Sequence, residues 1–239
     1  MLLALTVSLF GALVTTAGVF VVRARADWAQ ARKAYFIAFA AGVLVSVALL
    51  RLVSEAMALT SAAPAGILGG FVFLHLLNRF VVASLCDRPE TAGYSLGLIP
   101  LLGVGLHSLL DGVIYSVSFT VGETTGLLVA PGLIIHEFPE GIVTYTLLLY
   151  AGFPDRRAVL LALGAAAFST PLGTLLSFPI VGALDQPTLG LLLSISAGAL
   201  LYVGATHLLP HTERDPARFS MAALFAGILV AVIIGALEG

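Results

Sequence analysis

Long apolar runs recur along the whole chain, and only short polar connections separate them. A helix needs roughly 20 apolar residues to cross the hydrocarbon core of a bilayer. The runs do not alternate apolar with polar residues, as the strands of a membrane barrel would, and glycine and alanine are spread among them. The pattern therefore predicts eight transmembrane helices, at residues 2–22, 34–59, 64–84, 95–120, 125–150, 157–184, 188–209 and 219–237.

Composition agrees with a membrane environment for the whole chain. Of the 239 residues, 59% are hydrophobic and only 10% are charged, and the mean hydropathy is +1.08. A soluble domain carries about 25% charged residues, so this chain has too little charge to cover a soluble surface. The prediction is an all-α polytopic membrane protein with a single transmembrane domain over residues 1–239. The net charge of −2 argues against a nucleic-acid partner.

The positive charges predict an orientation, because cytoplasmic loops carry an excess of Lys and Arg. With an outside N-terminus, ten of the eleven Lys and Arg residues fall in or beside inside loops: Arg23, Arg25, Arg32, Lys33, Arg79, Arg88, Arg156, Arg157, Arg214 and Arg218. Eight spans then place both termini outside, and the protein is expected in the inner or plasma membrane of the cell.

The eleventh positive charge belongs to a segment that recurs later in the chain. Residues 41–56 match residues 197–212 without gaps, with Arg51 opposite His207 and Glu55 opposite His211. The two spans run in opposite directions, which suggests a 3+2+3 arrangement with inverted repeats, spans one to three and six to eight, around spans four and five. Such repeats are common in transporters.

In that arrangement, Arg51 and Glu55 line the outer side of a transport path, and His207 and His211 line its inner side. The i,i+4 spacing of Arg51 and Glu55 also permits a purely structural pair on one helix face.

Spans four and five each place a histidine and a carboxylate four residues apart. His107 and Asp111 share a face of span four, and His136 and Glu140 share a face of span five, because residues at i and i+4 are neighbours on a helix. Counting along each span puts both pairs near the middle of the bilayer. A short connection joins the two spans, so their polar faces can meet.

These two spans contain no Lys or Arg that could neutralise their acidic groups. With Glu137 included, three ionised carboxylates at mid-membrane would cost on the order of 10 kcal/mol if nothing compensated them. Two neutral imidazoles, one Asp and one Glu instead form a charge-balanced set of ligands for a divalent, borderline transition metal. The pattern favours a metal site between spans four and five.

Three segments resemble the ZIP (Zrt/Irt-like protein) family of divalent metal transporters, bacterial type: "HSLLDG" at 107–112, "HEFPEG" at 136–141 and "AGALLYVGATHLLPH" at 197–211. The resemblance implies a transporter without enzymatic activity or a cofactor, which carries zinc, cadmium, iron(II) or manganese into the cytoplasm; several members form homodimers. It also implies that His107, Asp111, His136 and Glu140 hold the transported metal, with Ser108 and Glu137 at a neighbouring second position.

The sequence departs from the family pattern at three positions. Ser108 stands where many members have Asn, Thr170 stands where many have a Glu before the proline of span six, and His207 replaces a frequent acidic residue. The first two changes remove ligands from the second metal position. One strong site and a weak or absent second site are therefore expected, with Thr170 beside the transport path.

Two other functions compete with metal transport. "HEFPE" is similar to the HExxH motif of intramembrane zinc hydrolases, but Pro139 interrupts the helix that would present both ligands and Glu140 replaces the second histidine. A proton-coupled carrier of organic substrates would need few metal ligands and a larger pocket.

Overall fold

The computed structural model of the protein describes residues 1–25, 28, 31–85, 93–210 and 220–238, and these ranges contain helices and turns but no strand. Eight helices account for the apolar runs: α1 (Leu2–Arg23), α2 (Lys33–Ser46, continued by Val47–Val53 and Ser54–Leu59), α3 (Ala63–Leu85), α4 (Ser95–Val121), α5 (Glu123–Tyr150), α6 (Asp155–Ala162, continued by Leu163–Ala167 and Ser169–Ser177), α7 (Gln186–Leu201, continued by Tyr202–Leu208) and α8 (Ser220–Glu238).

Most helix ends lie within a few residues of the predicted span ends, but the predicted end of the sixth span at residue 184 is wrong. Helix α6 ends at Ser177, and a separate 3₁₀ turn, Val181–Ala183, follows. Pro179 has no N–H to donate to the carbonyl of Leu175, so the helical hydrogen-bond ladder cannot continue past this point.

By length and composition, six of the helices are apolar enough to cross a membrane, and α8 supplies the shorter apolar helix Ser220–Ala236. Helix α5, which contains His136, Glu137 and Glu140, is not among the six found within the described residues. The predicted class, an all-α polytopic membrane protein, is confirmed. The complete eight-span crossing stays a prediction.

The helices pack in two groups of four. In the first group, α1 packs on α5, α5 on α4 and α4 on α6; in the second, α2 packs on α8 and on α7, and α7 packs on α3. Each group therefore takes helices from both the N-terminal and the C-terminal three-helix segments, and the sequence order 3+2+3 is interleaved in space.

Glycines mark the closest helix crossings in both groups. A Cβ atom on Gly18 would meet the carbonyl of Phe138 where α1 crosses α5, and one on Gly227 would meet the carbonyl of Phe39 where α8 crosses α2. Small residues let membrane helices approach closely, and van der Waals packing then holds them together. These crossings keep each four-helix group compact.

Helices α2 and α7 become π-helical at matching places, Val47–Val53 and Tyr202–Leu208. In the internal alignment, residue 47 stands opposite residue 203, so the two segments coincide almost completely. π-Helical turns are rare and frequently occur at functional sites. Arg51 and His207 both lie in these segments. The match supports a repeat relation for α2 and α7, while the complete three-helix repeats stay a prediction.

Candidate metal centre

Four side chains from α4 and α5 converge on one point between the two helices. His107, Asp111, His136 and Glu140 each offer one ligand atom, and these atoms all lie within 4.8 Å of one another. All four residues are buried, with exposed fractions between 1% and 8%. The i,i+4 spacing on each helix sets the two residues of a pair side by side, and the packing of α4 on α5 brings the two pairs together.

Asp111 lies between the two imidazole rings. Its Oδ2 atom is 2.8 Å from Nε2 of His136 and 3.5 Å from Nε2 of His107. The ring centroids of the two histidines are 5.6 Å apart. Two ring nitrogens therefore face the same carboxylate oxygen, an arrangement that places nitrogen and oxygen ligands on one side of a shared space.

Glu140 has one oxygen that is engaged and one that is not. Its Oε1 atom lies within hydrogen-bond distance of the hydroxyl of Ser108, whose single proton is shared between this oxygen and the carbonyl of Val104. Its Oε2 atom is buried without a hydrogen-bond partner in the described part of the chain. A buried acceptor without a partner is costly, and a cation at the cluster would satisfy it. The donor set thus fits a transition-metal ion.

A third helix brings a positive charge to the cluster. Arg51, in the π-helical segment of α2, has its NH1 atom 3.2 Å from Nδ1 of His136. Counting charges along spans four and five could not reveal this contact, because Arg51 comes from a distant part of the sequence. Glu55 lies in the next turn of α2, in Ser54–Leu59, and is half-buried.

Glu137 lies on the flank of α5, about 60° around the helix axis from Glu140, and it points toward α1 and α6. It is completely buried, and its two oxygens accept hydrogen bonds from Thr15 and from Thr170, the latter at 2.9 Å. Ser108 does not join it there, since its hydroxyl is used by Glu140. Sequence reasoning missed Thr15, although the adjacent polar residues Thr15 and Thr16 in the middle of an apolar span were a signal that could have found it.

Two cavities adjoin His136 on different sides. The smaller, of about 30 Å³, lies beside His107, His136 and Glu140 and is otherwise lined by aliphatic residues of α2, α4, α5 and α7. The larger, of about 200 Å³, is lined by Arg51, His136 and residues of α2 and α8. Val47 and His136 line both cavities, and the α2 lining extends toward Val43 in the smaller one and toward Arg51 in the larger one.

The predicted inner-side residues are only partly covered by the described ranges. His207 is half-buried, and its Nε2 atom is 2.9 Å from the carbonyl oxygen of Ser95 at the start of α4. His211 lies outside the described residues. His207 thus links the π-helical segment of α7 to the helix that carries His107 and Asp111.

The family profile described as ZIP Zinc transporter matches residues 82–235, a range that contains the whole His/Asp/Glu cluster. The chain belongs to the ZIP family. Among its relatives, zinc transporter ZIP13 of Pongo abelii is 30% identical over 222 residues, which cover 82% of this chain and 65% of that protein. Zinc transporter ZIP9-B of Xenopus laevis is 25% identical over 188 residues, covering 69% of this chain and 62% of that protein.

Protein zntC of Dictyostelium discoideum is 30% identical over 141 residues, which cover 56% of this chain and 34% of that protein. This ZIP chain spans less than two thirds of the length of each of these three relatives. All three come from eukaryotes, and the bacterial type expected from the sequence stays a prediction. Family membership confirms the resemblance seen in the motifs of α4, α5 and α7.

Proposed function

We propose that this protein moves divalent transition-metal cations across a membrane into the cytoplasm, with zinc as the main substrate. Cadmium, iron(II) and manganese are the further substrates to test, because sites of His and carboxylate ligands suit several divalent metals. The observation that carries the proposal is the buried convergence of His107, Asp111, His136 and Glu140 within 4.8 Å. The cation is the transported substrate, and no separate cofactor is required.

Charge and ligand chemistry support a divalent cation as the occupant. Asp111 and Glu140 supply two negative charges in an apolar interior, and the two neutral imidazoles supply nitrogen ligands without adding charge. An ion with two positive charges satisfies the free oxygen of Glu140. It also balances the two carboxylates once the guanidinium of Arg51 is no longer beside His136.

The cavities beside the cluster support a route through the protein. In the orientation predicted from the positive charges, the cavity at Arg51 opens on the outer side and the cavity at His107 and Glu140 lies on the inner side. A cation would enter past Arg51 and Glu55, exchange its water for the cluster, and leave past His207 and His211. In this proposal both termini lie outside, in the inner or plasma membrane.

The second metal position is proposed to be weak or absent. Glu137 already accepts hydrogen bonds from Thr15 and Thr170, and Ser108 is engaged by Glu140. Thr170, proposed for the transport path, acts here by holding Glu137. A second ion would have to break these hydrogen bonds and would gain few oxygen ligands in return.

Transport requires the site to face each side in turn, and the packing offers a way to do this. All four cluster residues belong to the first helix group, whereas Arg51 and His207 belong to the second. Movement of one group against the other would carry the loaded cluster past these two residues. Dimerisation, expected from the family, would have to leave one group free to move.

An intramembrane zinc hydrolase is disfavoured by the position of Glu137. In an HExxH enzyme, the glutamate after the first histidine acts on the metal-bound water. Here both oxygens of that residue already accept hydrogen bonds, from Thr15 and Thr170. A carrier of organic substrates is disfavoured by size, because the cavity at the cluster is about 30 Å³, whereas small-molecule pockets are typically about 300–1,000 Å³.

The test is uptake of zinc, cadmium, iron(II) and manganese into liposomes that contain the purified full chain. The wild type would be compared with His136→Ala and with a matched control, His75→Ala, since His75 lies on α3 and its ring contacts Tyr202 instead of the cluster. We expect uptake by the wild type and the control, and none by His136→Ala. Absence of uptake from wild-type protein that still binds zinc would overturn the transporter and favour the hydrolase.

A further inference from the structure

The contact between Arg51 and His136 indicates which nitrogen of the ring carries the proton. A guanidinium group can donate hydrogen bonds but cannot accept them. At 3.2 Å from NH1 of Arg51, the Nδ1 atom of His136 must therefore be the acceptor. A neutral imidazole then carries its proton on Nε2, which is 2.8 Å from Oδ2 of Asp111 and donates to it.

In this arrangement His136 has no lone pair to offer a metal. Its Nε2 atom carries a proton, and its Nδ1 lone pair is held by Arg51. Binding a metal through Nε2 would move the ring proton to Nδ1, where two donors would then face each other. Binding a metal through Nδ1 would place the ion where the guanidinium lies. Both routes require Arg51 to leave the ring.

We propose that Arg51 acts as a tethered cation. It holds His136 in the hydrogen bond to Asp111, and an incoming metal must displace it. The inference rests on the proposed transport function and adds a regulatory contact to the same site. Arg51 acts here as a positioning residue: it sets which nitrogen of His136 carries the proton, and it does not touch the metal. The locked state keeps the cluster closed until a divalent cation can replace the guanidinium.

The surroundings of Arg51 suit such a movement. The residue lines the cavity of about 200 Å³ together with His136, so the guanidinium has space into which it can withdraw. It also lies in the π-helical segment Val47–Val53, where the regular hydrogen-bond ladder of α2 is already interrupted.

The lock joins the two helix groups, because Arg51 belongs to α2 and His136 to α5. Loading a metal therefore breaks a bond between the groups, and unloading restores it. This couples occupancy of the cluster to the relative position of the groups, which is what alternating access needs.

The decisive experiment measures zinc and cadmium binding to the full chain in detergent by calorimetry. Arg51→Leu removes the donor and adds no metal ligand, and Arg51→Lys keeps a donor. The control is Arg157→Leu, which removes an exposed positive charge near the start of α6. We expect Arg51→Leu to bind about tenfold more tightly than the wild type, because no charged hydrogen bond has to be displaced. Arg51→Lys should stay close to the wild type, and Arg157→Leu should equal it.

A second readout does not depend on any variant folding. Nitrogen-15 spectra of histidine-labelled wild-type protein, with the His136 signals assigned by their absence in His136→Gln, should show a proton on Nε2 and an accepting Nδ1 in metal-free protein. A proton on Nδ1 would overturn the lock, as would unchanged or weaker metal binding by folded Arg51→Leu. Failure of the transport function would look different: wild-type binding or uptake would then be absent or indifferent to His136→Ala.

Discussion

Two adjoining faces of α5, about 60° apart around the helix axis, carry glutamates three residues apart in very different surroundings. Glu140 lies beside a cavity with one oxygen held by Ser108 and the other without a hydrogen-bond partner among the described residues. Glu137 is completely buried, and both of its oxygens accept hydrogen bonds from threonines of neighbouring helices. Glu140 thus keeps one oxygen available for a ligand, whereas both oxygens of Glu137 are already hydrogen-bonded.

This difference indicates which face of α5 can bind a cation. A cation site needs ligands whose bonding capacity is still open, whereas a fully hydrogen-bonded polar network rigidifies the packing around it. The face of His136 and Glu140 is open in this sense, and the face of Glu137 joins α5 to α1 and α6.

The largest expected effect comes from exchanging each glutamate for glutamine. Glu140→Gln should weaken zinc binding by roughly 100-fold or more, because it removes a charged ligand and even indirect partners of a metal ligand matter by about 10–100-fold. Glu137→Gln should weaken it by far less. Calorimetry on both variants checks this, and equal losses would contradict the division between the two faces.

Acidification should act on the open face. Imidazoles and carboxylates must be deprotonated to bind a metal, so lowering the pH from about 7.5 to about 5.5 should weaken zinc binding by roughly tenfold or more, because histidine ordinarily titrates in this interval. Zinc titrations at both pH values measure the effect. A constant affinity across this interval would count against His107 and His136 as ligands.

Removing a donor from the closed face should affect stability more than metal binding. Thr15→Val takes a hydrogen bond from buried Glu137 and should lower the free energy of unfolding by about 1–3 kcal/mol. Zinc affinity should change little. The matched control is Thr16→Val, whose hydroxyl donates to the carbonyl of Ala12 in its own helix. Denaturation in detergent compares the two variants, and an equal response would argue against the Glu137 network.

The smallest effect is expected at Asp185, far from both faces of α5. Hydrogen bonds from Thr188 hold the pKa of Asp185 below its usual value, and the carboxylate caps α7. A lowered pKa means that its contribution to stability is present above the unfolded-state pKa and is lost as the pH falls through the folded-state value. Asp185→Ala should therefore lower the melting temperature slightly at neutral pH and not in strong acid.

The control for this prediction is Asp185→Asn, since asparagine also caps helices and does not lose its acceptor on acidification. Its melting temperature should stay close to that of the wild type at neutral pH. Zinc binding by both variants should equal that of the wild type. A change in zinc affinity at Asp185 would mean that stability and metal binding are not separable in this protein.

Local patterns in the sequence were sufficient for the helices and for the main cluster. Apolar runs determine helices in a membrane because every backbone polar group must be satisfied within its own segment. The spacing of His107 with Asp111, and of His136 with Glu140, determines that each pair shares a helix face. Because α4 and α5 adjoin in sequence, their meeting could also be predicted.

The side chains that reach the two faces of α5 from distant parts of the sequence could not be predicted, because they depend on tertiary packing. Arg51 reaches His136 from α2, and Thr15 reaches Glu137 from α1. The interleaving of the two helix groups creates these contacts, and it depends on where glycines permit close crossings between helices far apart in sequence. Helical periodicity specifies which residues share a face, but the neighbour of that face is chosen by packing over the whole fold.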